Sequence, residues 1–135
     1  MIIVDAGTWV TAAIDETRAG NICRAVLRSD RHWMAPSHMP TEALRTIRRF
    51  EQAGAINKAV AQTVVNEIAA SEIAYVGPES SMLLAQWHLR HNLSAYDAPY
   101  VVLGQRMHAP LITLDRRLAR AASALGVEVQ LVQRR

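Results

Sequence analysis

A chain of 135 residues, half of them hydrophobic, can bury roughly two-thirds of the surface its unfolded form exposes and fits one domain without staples. The single cysteine, Cys23, excludes an internal disulfide and suits a reducing compartment. No run free of Asp, Glu, Lys and Arg exceeds ten residues, well short of the ~18 needed to span a bilayer, and the net charge is +3 with 14 of the 15 basic residues arginine. Arginine's planar fork suits phosphate, although a GC-rich coding bias leaves the same mark. The opening MIIV has no basic leader and meets Asp5 at once. An export signal is therefore not expected, and a soluble, cytoplasmic protein is.

In chain order, residues 1–5 form a short apolar run of strand length that ends on Asp5. A helical stretch follows in which Ile22, Val26 and Leu27 surround Cys23, a core position. Trp33 and Met34, before Ala35-Pro36, suit a short strand. In PTEALRTIRRF the residues Leu44, Ile47 and Phe50 mark an apolar helix side, and Glu42 falls away from it as a solvated first-turn glutamate. Residues 55–70 repeat apolar positions at helical spacing (Ile56, Val60, Val64, Val65, Ile68). Ile73 to Val76 is a strand closed by Gly77 and Pro78. Met82, Leu83 and Trp87 lie on another helix, as do Tyr100, Val101 and Leu103. Residues 111–114 are a strand running through Leu114 into Asp115, and RRLARAASALG is a helix stopped by Gly126. VEVQLV, 127–132, alternates as a strand with one wet face. No repeat, low-complexity tract or linker divides the chain, so a single domain over 1–135 is expected. Strands alternating with helices predict an α/β fold whose parallel sheet is covered on both faces.

Asp5 and Asp115 stand at the carboxyl ends of apolar strands, where open parallel sheets bind ligands. If those strands are neighbours, two carboxylates converge. At ~4 Å and an effective dielectric near 20 they repel by about 4 kcal/mol, so one is protonated or a cation lies between them. An all-oxygen site favours magnesium or manganese. Each aspartate is equally well read as a helix N-cap. Asp97 in SAYDAPYVVLG is a third acid, either the partner of Ser94 in a capping box or itself the N-cap. His88 and His91 lie three apart on a helix without a matching cysteine or carboxylate. Trp9, Trp33 and Trp87 suit core packing better than base stacking. No dinucleotide-binding or phosphate-binding glycine loop is present, and no serine sits in a nucleophile elbow.

Taken together, MIIVDAGTWV, PTEALRTIRR, SAYDAPYVVLGQRMHAPLITLDRRLARAA and LGVEV resemble the PIN domain, and within it the VapC toxins of VapBC toxin–antitoxin pairs. The resemblance runs from the first residue to about 129. It implies a three-layer α/β/α fold with a central, mainly parallel sheet of about five strands, and a metal-dependent endoribonuclease. The family's acidic quartet maps onto Asp5, Glu42, Asp97 and Asp115, which would hold Mg2+ or Mn2+ and attack an RNA phosphodiester with a bound water. Thr113 matches the family's hydroxyl residue beside the metal. Gly7 departs from the usual Ser or Asn, with Thr8 a possible substitute, and Pro99 replaces a small or apolar residue. Arg45, Arg48, Arg49, Arg116, Arg117 and Arg120 are candidates for gripping the RNA backbone. A VapB-type antitoxin partner and a homodimer are implied as well, with the apolar faces bearing Ile22, Val26, Leu27 and Ile56, Val60, Val64 available to a dimer or to the core. Two other readings remain open: an inactive PIN-type interaction module, and a different metal-dependent phosphohydrolase.

Overall fold

The apolar runs pair side by side. In the computed structural model, which describes residues 1–134, five strands and seven helices alternate: β1 (Ile2–Val4), α1 (Ala6–Ile14), α2 (Arg18–Arg28), β2 (Trp33–Pro36), α3 (Met39–Gln52), α4 (Lys58–Ala69), β3 (Ala74–Val76), α5 (Ser80–His88), α6 (Ala98–Met107), β4 (Leu111–Thr113), α7 (Arg116–Ala124) and β5 (Val129–Leu131). The strands form one sheet in the order β3-β2-β1-β4-β5, and every pairing is parallel. The layers are those of a three-layer α/β/α domain.

This order explains why the site lies where it does. From β1 the chain steps to β2 and β3, then returns to lay β4 against the other side of β1. Right-handed crossovers put α1–α4 on one face and α5–α7 on the other. The connections leaving β1 and β4 therefore part company, and a crevice opens at their carboxyl ends. Register sets Ile3 opposite Leu111 and Val4 opposite Ile112, so Asp5 and the residues after Thr113 reach that edge together.

The three central strands are buried on both sides, as expected for strands that read as continuous apolar runs. Cys23 is in the core, where burial raises its thiol pKa to about 11, and a thiol so seldom ionised is no nucleophile. Val26, Leu27 and Val64, from the two faces considered for a dimer, are also core residues, whereas Val60 points outward. The largest exception to the apolar pattern is α5. Of its apolar residues Met82 is buried, but Leu83, Leu84 and Trp87 are more than half exposed, and the Arg90 guanidinium covers the Trp87 ring 4.4 Å from its centre. Helix α5 ends at His88, so His91 lies beyond it in a turn.

Helix α6 begins immediately after Asp97 and packs closely against Val127 at Gly104. A Cβ at Gly104 would fall 2.5 Å from Cγ1 of buried Val127. Helix propensity favours Ala over Gly by about 1 kcal/mol, but overpacking against a stiff β-branched neighbour costs about 1–3 kcal/mol. Gly104→Ala should therefore lower the thermal midpoint by roughly 3–5 °C, measured by circular dichroism. An unchanged or higher midpoint would show that Val127 moves freely.

Candidate active site

Over the carboxyl ends of β1 and β4 lies a cavity of about 300 Å3 whose lining includes Asp5, Glu42, Asp97 and Asp115. Four separate elements supply these acids. Asp5 caps α1, its Oδ1 accepting the Thr8 N–H at 2.8 Å. Asp115 caps α7, its Oδ1 accepting the N–H groups of Arg117 and Leu118 at 2.9 and 3.1 Å. The capping reading of both residues is thus correct, and both still face the cavity. Asp97 is different. Its backbone is already helical (φ −84°, ψ −33°) and its side chain makes no capping bond. Ser94 does the capping instead, its hydroxyl accepting the Asp97 N–H at 3.1 Å. Pro99 sits in the first turn of α6, where a missing N–H removes nothing.

Glu42 is half-buried rather than solvated. The inward face of α3 is Met39, Ala43 and Ile47, while Leu44 and Phe50 are exposed. Glu42 lies one residue, about 100°, from the centre of that face and turns into the cavity. Its Oε1 accepts the Tyr100 hydroxyl at 2.7 Å and stands 3.2 Å from Nε2 of His38. Tyr100 is buried beneath it, with its phenol pKa far above the ordinary value because of burial and then the Glu42 charge. It therefore stays a hydrogen-bond donor. Neither Tyr100 nor His38 was singled out from the sequence, although both carry a signal. Tyr100 is three residues beyond Asp97 and His38 four before Glu42, the spacings that share a helix face.

Thr113 is fully buried behind the cavity instead of lining it. Its hydroxyl donates to Asp5 Oδ2 at 2.5 Å and accepts the Asp115 N–H at 3.0 Å, so it holds two acids in place from behind. Thr8 is likewise turned away, donating to the Ile112 carbonyl at 3.1 Å. Gly7 does line the cavity, and a Cβ there would meet only Asp5 Oδ1, at 3.8 Å. The glycine therefore leaves room there for a small polar side chain.

The acids strain one another. Burial holds the Asp5 carboxyl above the usual carboxylate range, against the pull of the Thr113 and Thr8 hydrogen bonds, and Glu42 adds repulsion. Asp97 is raised first by burial and then by the charges of Asp115 and Glu42, with Arg117 opposing. His38 is raised chiefly by its bond to Glu42. Among the described residues no three His, Cys, Asp or Glu side chains are drawn tight enough to chelate one ion. The donor set nonetheless fits a hard divalent cation. It is all oxygen, it is crowded with negative charge, and the hydrogen bonds described leave Glu42 Oε2, Asp115 Oδ2 and both Asp97 oxygens for other partners. Of the arginines considered earlier, Arg117 acts on Asp97, while Arg48 borders a separate cavity between α3 and α4.

The PIN domain family profile matches residues 2–124. Ribonuclease VapC3 of Mycobacterium tuberculosis is 33% identical over 132 residues, covering 93% of this chain and 92% of that protein. Ribonuclease VapC1 of the same organism is 32% identical, covering 97% of each. Among solved structures, Mycobacterium tuberculosis VapC20, described as a sarcin-ricin loop cleaving toxin, superposes with a TM-score of 0.70 at 15% identity over 94% of this chain and 96% of that one. PAE2754 of Pyrobaculum aerophilum gives a TM-score of 0.66 at 16% identity over 89% and 83% of the two chains.

Two measurements check the site's internal bonding. Thr113→Val keeps the shape but strips a buried carboxylate and a backbone N–H of their partner. It should cost about 1–3 kcal/mol in chemical denaturation, with Thr113→Ser recovering most of the loss; equal losses would deny the hydroxyl its role. Asp97 has a raised folded-state pKa, so its ionised form weakens the metal-free fold above that value and not below the ordinary carboxylate value of about 3.9. In EDTA, Asp97→Asn should raise the thermal midpoint at neutral pH. The gain should fade as the pH falls towards 4, and a gain independent of pH would contradict the assignment.

Proposed function

This chain belongs to the PIN domain family, among the VapC ribonucleases, and from that membership we propose that it is the ribonuclease toxin of a toxin–antitoxin pair, an endoribonuclease that hydrolyses RNA phosphodiester bonds with Mg2+ or Mn2+ held by Asp5, Glu42, Asp97 and Asp115. The observation that carries the reading is the convergence of these four carboxylates, from four elements, in one cavity at the sheet's switch point. When bound, such an ion makes a hydroxide-like nucleophile from water and stabilises charge on the attacking and leaving oxygens.

The chain's own residues then divide the work. Asp97 and Asp115 offer oxygens that no capping bond consumes. Asp5 is fixed by Thr8 and Thr113 before any ion arrives, so little ordering remains to be done on binding. Glu42, held by Tyr100 and His38, would orient the attacking water and take its proton. Thr113 is a positioning residue. A VapB-type antitoxin is the expected partner, on the strength of the relatives' names. A homodimer would need a surface other than the two helix faces considered from the sequence, since Val26, Leu27 and Val64 are in the core and Ile22 and Ile56 pack against it; Leu83, Leu84 and Trp87 of α5 provide one. No helix among the described residues is long and apolar enough to cross a membrane.

The test is cleavage of total RNA by the purified chain, freed of any antitoxin, in Mg2+, Mn2+ or EDTA. Cleavage should require the ion and fall at least about 100-fold in Asp97→Asn, with the variant still folded by circular dichroism. Folded, ion-loaded wild type that leaves every RNA intact would favour the inactive interaction module.

A further inference from the structure

The acid cavity does not end at Asp115. It shares Leu114 and Arg134 with a second cavity of about 460 Å3, whose remaining walls are Arg116, Val132 and Gln133. Arg134 thus lines both spaces, and Arg116 lines the second alone.

The way the chain reaches this point is specific. Beyond β5 the backbone stays pinned, with the Val132 N–H donating to the Thr113 carbonyl at 2.8 Å and the Val132 side chain buried. Just beyond that bond, Gln133 lines the second cavity and Arg134 lines both. Arg116 and Arg117 occupy the first turn of α7, which contains no acid. Cations there oppose the helix dipole, so local folding gives no reason for them. Arg116 and Arg134 are both exposed, and among the described residues neither forms an ion pair.

We propose that this second cavity is a phosphate subsite, in which Arg116 and Arg134 grip a backbone phosphate of the same RNA strand, flanking the bond held at the acids. The assignment rests on the ribonuclease reading above. Two planar forks around one concave space suit a phosphodiester's two unesterified oxygens. They read no base, so the subsite sets where the strand lies without choosing its sequence.

Binding of a fluorescein-labelled, mixed-sequence single-stranded RNA would be followed by anisotropy against salt, in an Asp97→Asn background that does not cut it. The added pair Arg116→Gln and Arg134→Gln should weaken binding about tenfold and reduce the slope of log K against log salt by about 0.7, the loss of one single-strand phosphate contact. Lys58→Gln, on α4 beside another cavity, combined with Arg31→Gln, also exposed and away from both cavities, controls for the same loss of two charges. In the wild-type background the arginine pair should raise KM with kcat within about twofold, as for lost uniform binding. Cleavage by the wild type together with a slope unchanged from the Lys58→Gln and Arg31→Gln control would overturn the subsite and leave the ribonuclease standing. A reduced slope with no cleavage under any ion would do the reverse, and no RNA binding at all would overturn both.

Discussion

One hydroxyl couples the two halves of the sheet's open edge. Thr113, the last residue of β4, donates to Asp5 at the end of β1 and accepts the N–H of Asp115 two residues on. Without that bond Asp5 would be a nearly buried carboxylate held only by the first turn of its own helix, and burial disfavours its charge already. With it, the first and last acids of the quartet are set at a fixed separation by two adjacent strands in parallel register. The other two arrive on helices, Asp97 at the start of α6 and Glu42 in the first turn of α3, the second tied to the first helix through Tyr100. The cavity is thus assembled where strands and helices meet, with Asp5, Asp97 and Asp115 each one residue before a helix.

Structural and chemical roles are layered in the same side chains. Asp5 and Asp115 satisfy helix N-termini, a contribution of about 1 kcal/mol each in typical helices, and they do so mainly through one oxygen. Asp97 forgoes that role, since Ser94 takes the cap and the Asp97 side chain makes no capping bond. An acid half-buried beside two others opposes folding, and such placements concentrate where a protein does chemistry. The crowding that costs stability in the free chain would be relieved by a divalent cation.

Much of this was legible in the sequence. The short apolar runs gave the strands, because a strand buried on both faces leaves a continuous signal, and the aspartates closing two of them marked the edge where the site lies. The resemblance supplied Glu42, which periodicity had turned outward. Leu44 and Phe50 pulled the apparent apolar face of α3 towards themselves, yet both are exposed, and the true face runs through Met39, Ala43 and Ile47. Helix α5 misled in a similar way, since Leu83, Leu84 and Trp87 point outward. What stayed hidden depends on partners distant in the chain. Thr113 lies 108 residues from Asp5, Tyr100 lies 58 from Glu42, and Arg134 lines the acid cavity just beyond the backbone bond from Val132 to Thr113.

The same tethered tail has a practical side. The chain leaves the fold at the carboxyl edge of the sheet, beside the acids, whereas the amino terminus opens at the opposite edge, its ammonium 2.6 Å from Asp30. A fluorophore carried at Arg134 sits within reach of the acids, and a tag joined farther along the chain starts close to them. A polyhistidine tail in that position brings a row of metal-binding imidazoles up to the four carboxylates. Grafted before Met1, the same handle gives up one exposed ion pair and leaves the groove clear, so the choice of end decides what an assay of this protein reports.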